Sequence, residues 1–419
     1  EPQEVLRSDH SGQLKANSTY INNYNYSLTA NYDYELKNDR KLKMMVGHEY
    51  QRSRTAGKDR TYTDVLDYQA TQAGDSGTAV LTNRATINYA FVSFFGRANY
   101  IHKNKYFFQG TLRSDGSSKF GPENRYGWFP SVSAGWVMSE EDFLKDSKTI
   151  SFLKVRASWG IVGNANIPDN LWQGRFSPSG NQAPYNGDPT IFPINNSNPG
   201  LKWETSNVID GGVEIGLWKD RISLVPEVYW KQSKDVLMKL SVPQYNGFAD
   251  FWDNVGEIRN SGFELGIKSV NIDKKNFQWS TSASVARNWN KIVSIGGYSE
   301  DAVSGGTNDT RIVVGAPVGT NFLVPFSHVD PADGRPVYID IDGNQTKTWD
   351  PADRVPVGDV LPDLIGGITN NFTYKNWEVV LVVIGSYGAD IYDSSSKRQL
   401  GVVGNDWNMR TDIYDRWRE

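Results

Sequence analysis

The 419-residue chain is close to neutral, with 44 basic and 48 acidic residues for a net charge of -4, and it has no basic run or stripe of the kind that follows phosphates, so no nucleic acid partner is expected. With no cysteine it can form neither a disulfide framework nor a thiolate metal site. The longest apolar run, 379–385, is about a third of the roughly 20 residues a helical span needs, and mean hydropathy is -0.54; a helical membrane protein is excluded, a transmembrane β-barrel is not.

The opening EPQEVLRSDH has neither Met nor an apolar leader core and reads as the start of a mature or internal piece. Gly and Pro are spread through short turns, with no linker-like stretch, so one large β architecture is expected. In SLTANYDYELK, residues Leu28, Ala30, Tyr32, Tyr34 and Leu36 take one face and Thr29, Asn31, Asp33, Glu35 and Lys37 the other, a dyad repeat long enough for a tilted membrane strand. The pattern recurs at 41–50, 105–113, 151–160, 205–217, 261–269 and 277–289, for about 12 to 14 strands in all. Helix is expected at most over Thr63 to Ala73, with a short turn at Glu140 to Lys145.

Between strands, the connections alternate in length. Short turns are expected at 37–40, 102–105, 219–221, 273–276 and 375–376; long polar loops at 53–86, 114–127, 161–202, 232–257 and 290–317. Aromatics flank the short turns: Tyr100, Tyr106, Trp218, Phe277, Trp279, Tyr374 and Trp377. Rings at strand ends match the girdle of a membrane interface, although high strand propensity alone also enriches them. Asp33, Glu35, Lys154, Arg156, Asp210, Glu214, Glu264, Lys268 and Arg287 are expected on one face, where a water-filled lumen or a polar plug would accept mid-strand charges. Pro226 lacks a ladder donor and suggests a bulge.

The stretch LRSDGSSKFGPENRYGWFPSVSAGW, 112–136, is a hairpin with a long polar tip, marked by the turn dipeptides Asp115-Gly116 and Gly121-Pro122. Together with LKVRASWGIVGN (153–164), NPGLKWETSNVIDGGVEIGL (198–217), NVGEIRNSGFELGI (254–267) and GDVLPDLIGGITNNFTYKNWEV (358–379), it resembles the SusC/RagA-like TonB-dependent outer-membrane transporters, in family order from about Asn88 onward. The resemblance implies an all-β fold: residues 1–419 as part of a 22-stranded antiparallel transmembrane barrel, with the plug, the TonB box and the last strands outside this sequence. It further implies import of a bulky nutrient, an oligosaccharide or a peptide, a SusD-like surface lipoprotein as lid, energy from TonB-ExbB-ExbD through the plug, and outer-membrane lipid around the wall.

Catalysis finds no support. The four histidines lack metal-ligand spacing, no hydrolase, P-loop or zincin motif occurs, Glu140-Glu141-Asp142 reads as a solvated loop, and no cofactor is expected. DIDGNQTKTWD (340–350) is similar to a calcium loop at Asp340, Asp342 and Asn344 but has Gly343 and Pro351 in the wrong places, which favours a plain turn. Ligand contact is expected from loop aromatics, whose flat faces can stack on a sugar: Trp172, Phe176 and Tyr185 in one loop, Tyr245, Phe248, Phe251 and Trp252 in the next. Loop-to-loop or loop-to-lid packing is the competing role for the same rings. Arg113, Asp115, Arg125 and Trp128 read as a salt-linked hairpin at the barrel mouth. A non-transporting adhesin or ligand-binding β-structure, and a passive porin, remain as alternative functions.

Overall fold

The computed structural model describes residues 12–65, 78–178, 185–186, 188, 190–243, 247–303, 310–393, 395–400 and 409–417. In chain order come β1 (Gly12–Leu36), β2 (Arg40–Val65), β3 (Thr78–His102), β4 (Tyr106–Ser117), β5 (Tyr126–Val137) and β6 (Ile150–Asn164). A small hairpin, β7 (Phe176–Pro178) and β8 (Ile191–Pro193), precedes β9 (Glu204–Leu217), β10 (Ile222–Ser241), β11 (Asp250–Lys274) and β12 (Phe277–Ser294). The next excursion carries β13 (Thr310–Arg311), β14 (Thr320–Leu323), β15 (Phe326–Val329), β16 (Pro336–Ile339), β17 (Gln345–Thr346) and β18 (Val355–Asp359); β19 (Leu364–Tyr374) and β20 (Trp377–Tyr387) then rejoin the main sheet. That sheet has 12 antiparallel strands in the order β1-β2-β3-β4-β5-β6-β9-β10-β11-β12-β19-β20.

One end carries tight turns. Asn38 and Asp39 have φ of 64° and 53°, Lys103 and Asn104 52° and 53°. Two successive left-handed residues match the twist of the flanking strands, so the arms stay paired down to the turn. At the other end, where β2 ends and β3 begins, stand the long connections 118–125, 165–203, 242–249 and 295–363, as far as their residues are described. Two of the expected loops are shorter than the sequence suggests. Much of 53–86 is strand, because β1 and β2 run as arms of 25 and 26 residues and β3 pairs with β2 from Thr78. Likewise β10 and β11 consume most of 232–257. The outer parts of these arms, such as QRSRTAGKDRTYTDV at 51–65, lack the apolar–polar alternation that marks a strand. Thr63 to Val65 of the expected helix are strand; the rest of that stretch lies outside the described residues.

Register separates the faces. Cross-strand partners share a face, and one row reads Tyr32, Met44, Ala98, Gly110, Val132, Trp159, Ile209, Trp230. The adjacent row reads Asp33, Lys43, Asn99, Gln109, Ser133, Ser158, Asp210, Tyr229. Apolar and polar rows alternate across eight strands, so the dyad repeat of β1 extends as far as β10; β20 departs from it, with Val380, Val382 and Ile384 on the polar face and Val379, Leu381 and Val383 on the other. Arg287 departs from the expectation: it pairs with Phe263, while Glu264 pairs with Ala286, so Arg287 stands on the apolar face, its charge met by Asp363 at 2.9 Å. Pro226 makes no bulge; pairing to β9 lapses between Leu224 and Glu227 and resumes in the same register.

At the tight-turn end, 138–149 folds back on the rim. Glu141 accepts from Tyr106 Oη at 2.5 Å, Trp136 Nε1 at 3.0 Å and Lys105 Nζ at 3.3 Å, so it is a node of the rim rather than a solvated loop residue. The Tyr106 hydrogen bond, then that of Trp136, holds its carboxyl below the usual range. A folded-state value below the unfolded one stabilises at neutral pH, and that contribution is lost as pH falls through the folded value. Thermal unfolding of the full-length protein is therefore expected to show an acid limb below about pH 4 that Glu141→Gln flattens; identical pH profiles would remove Glu141 from the seam.

Candidate functional site

The polar face is organised around Arg156. Its Nη2 donates to Glu227 at 2.7 Å, with Glu214 at 3.7 Å and Asp210 at 3.8 Å, while Lys154 pairs with Glu214 at 3.2 Å and Ser158 Oγ donates to Asp210 at 2.8 Å. The reach is possible because Gly212 lies between Arg156 and Glu227 in the ladder; a Cβ there would meet the guanidinium carbon at 3.2 Å. Counting Glu264 beside them, four carboxylates face two cations. A recess of about 420 Å³ lined by Lys43, Asn99, Gln109, Arg156, Ser158 and Asp210 lies on this wall. A second, about 850 Å³, runs past Glu227, Glu264, Ser284, Gly367 and Ile384. A third hollow, about 610 Å³, is lined mainly by Leu42, Ala98, Gly110, Val132 and Trp159 of the apolar face, with Tyr100 beside them.

At the long-loop end the connections share a core of Phe120, Phe129, Ala165, Ile167, Leu171, Leu201 and Trp203, with Phe91, Ile161, Leu237 and Trp252 against it. Phe120 and Leu201 are fully buried. Trp203 Nε1 donates to the Arg125 carbonyl at 3.0 Å, and its ring lies 5.3 Å from those of Phe120 and Phe129. Lys119 Nζ donates to the Ile167 carbonyl at 2.8 Å, lies 5.0 Å over Tyr89 and faces Asp169 at 3.7 Å. Burial raises the Asp169 carboxyl despite Lys119. This loop platform went unnoticed in the sequence; its signal was Leu201-Lys202-Trp203 after the Pro199-Gly200 turn, apolar at alternate positions where no strand was expected.

The structure brings Arg113 and Asp115 together at 2.7 Å; the Arg113 guanidinium also reaches Ser93 at 2.8 Å, Glu49 at 3.3 Å and the Phe95 ring at 5.2 Å. Arg125 contributes its carbonyl to Trp203, away from that pair, and Trp128 is 63% exposed on the opposite face, partnered with Ser114. Trp172 donates to the Ser118 carbonyl at 3.2 Å, and Trp252 packs against the platform, its carbonyl held by Asn198 at 3.0 Å. Phe251 packs on a neighbouring cluster around Leu240 and Ile292. Phe248 is half-buried, Phe176 and Tyr185 are open to solvent, and Tyr245 lies outside the described residues. In 340–350, Asp340 Oδ1 accepts the backbone N–H groups of Asp342 and Asn344, at 3.0 and 2.7 Å, which makes an ordinary turn.

The model of the TonB dependent receptor-like β-barrel family matches residues 4–417. Among characterised proteins, TonB-dependent receptor P26 of Formosa agariphila is 28% identical over 99% of this chain and 44% of its own length, and P3 of the same organism 32% identical over 95% and 42%. TonB-dependent receptor SusC of Bacteroides thetaiotaomicron is 31% identical over 89% of this chain and 38% of its own. The chain thus spans less than half the length of these relatives. A solved structure of the RagAB peptide transporter has the same fold, with a TM-score of 0.86 over 98% of this chain and 46% of that one, at 21% identity.

Proposed function

The chain belongs to the TonB-dependent receptor-like β-barrel family, and from that premise we propose that it is part of the wall and mouth of an outer-membrane importer for a bulky oligosaccharide or peptide. The observation that carries this reading is the separation of faces: apolar rows for lipid, and opposite them polar rows around Arg156 for a water-filled lumen. The long-loop end is the external mouth, because only the outer side needs loops large enough to enclose a ligand. The loop platform stiffens that mouth, with Trp172 and Trp252 bracing it and the exposed Phe176 and Tyr185 offering rings to ligand or lid. A SusD-like surface lipoprotein is the lid and TonB-ExbB-ExbD the energy source. RagAB is a peptide importer, which keeps peptides beside glycans as cargo. Neither the family nor the relatives favour the adhesin alternative.

Deleting the full-length gene and growing the strain on single glycans or peptides tests the proposal. Growth is expected to fail on one such class and to return with the gene, but not in a strain lacking TonB. Unchanged growth on every bulky nutrient the parent strain uses would reject it.

A further inference from the structure

On the apolar face of β12, Phe277, Trp279, Ala283 and Val285 rise from the tight turn to Arg287. Ten residues at ~3.3 Å each, tilted by ~45°, span ~23 Å, close to the ~25 Å height of the apolar band of a barrel. Arg287 therefore marks the band's outer border, its guanidinium 4.9 Å over Trp289 and bonded to Asp363. About 10 Å further out, at headgroup height, Lys291 stands directly opposite Arg259 in the ladder. Both are exposed, and among the described residues neither forms an ion pair. Arg259 lies 5.9 Å over Trp230, while Gln232, its partner on β10, donates to the Glu257 carboxylate, which forms no ion pair with Arg259.

Like charges directly opposite each other across strands destabilise a sheet. Here two cations are held so, on the face that meets lipid, with tryptophans below them at the depth where indoles anchor to an interface. An anion between them would turn the repulsion into two charge-assisted hydrogen bonds. We infer that Arg259 and Lys291 bind the phosphate of an outer-leaflet glycolipid, a phosphorylated saccharide headgroup of the lipid A type. Arg259 offers a fork to the phosphate oxygens, Lys291 a point charge, and Trp230 and Trp289 apolar faces for the sugar and the first acyl carbons. The inference rests on the reading that the long-loop end faces outward.

The test uses the full-length transporter, purified and delipidated in detergent, titrated with diphosphorylated lipid A and read by native mass spectrometry. Each charge removed is expected to weaken retention about five-fold, so Arg259→Gln/Lys291→Gln together should weaken it more than ten-fold, while Arg259→Lys/Lys291→Arg keeps most of it. Dephosphorylated lipid A on the unmodified protein should show the same loss, which frees the result from any folding defect; unchanged heat-modifiable migration checks the variants. Equal retention of both lipids, or by both proteins, overturns the inference. So does inorganic phosphate binding as tightly as the lipid, which would make this a free-anion site, or a variant that keeps lipid but sheds a co-purifying lid protein. Binding in detergent is independent of membrane orientation, so a failure here is separate from a failure of the import reading.

Discussion

Truncating Trp203 to alanine is expected to open the mouth while leaving the barrel wall folded. The side chain is 9% exposed and stands between Phe120 and Phe129, its indole N–H on the Arg125 carbonyl, so with Lys119 and Trp172 it ties the tip of the β4–β5 hairpin to the 165–203 connection. Removing a buried tryptophan costs about 3 to 5 kcal/mol, here drawn from local stability, and the orphaned carbonyl adds to it. The 118–125 tip should then become cleavable at Lys119 or Arg125 by trypsin added to intact cells, with heat-modifiable migration of the uncut protein unchanged. Trp203→Phe, which restores the packing but not the hydrogen bond, should recover most of the resistance. A tip as resistant in the alanine variant as in the parent would mean that the platform is held by other contacts.

The second large effect is expected inside the wall. Arg156→Met leaves Asp210, Glu214 and Glu227 facing one another, with Lys154 still paired to Glu214. The groups are about a third exposed, which screens them, so the loss is on the order of 2 kcal/mol rather than the larger value for a dry interior. Glu227→Gln in the same protein should return part of it by removing one of the stranded charges, a non-additivity that thermal unfolding of the single and double variants would measure. Gly212→Val should mimic Arg156→Met, because the valine would occupy the space the guanidinium crosses. Strict additivity would show that Arg156 and Glu227 act independently, and the network would lose its place as the organising feature of the polar face.

The parts of the fold that were legible in the sequence are those in which local chemistry and environment agree. Asn38-Asp39 and Lys103-Asn104 announce turns because they tolerate the left-handed backbone that a tight hairpin demands. Leu28 to Leu36 announces a wall because lipid and water lie on its two sides. Along Ser53 to Val65 the strand is held by its ladder to β1 and β3, and the sequence there, SRTAGKDRTYTDV, has no apolar–polar alternation to announce it. Arg287 misled for a related reason: a mid-pattern charge reads as luminal unless a partner as distant as Asp363, brought back by the long excursion after β12, neutralises it on the other face. The loop aromatics were found as a class, but sorting bracing rings from open ones needs the third dimension. Trp172 and Trp252 are drawn into loop packing by Ser118 and Asn198, contacts 54 positions away in each case.

The external mouth requires the long-loop end of the wall to face outward, and single-cysteine labelling reads that directly. These 419 residues contain no cysteine, so with any cysteine outside them replaced, Asn166→Cys in the 165–203 connection and Asn104→Cys in the β3–β4 turn can each be introduced singly into the full-length protein. Both positions are exposed. With a membrane-impermeant maleimide on intact cells, labelling is expected at position 166 and none at 104 until the outer membrane is breached. Labelling at 104 but not at 166 would put the tight turns outside and contradict the external mouth, the lid and the headgroup site together.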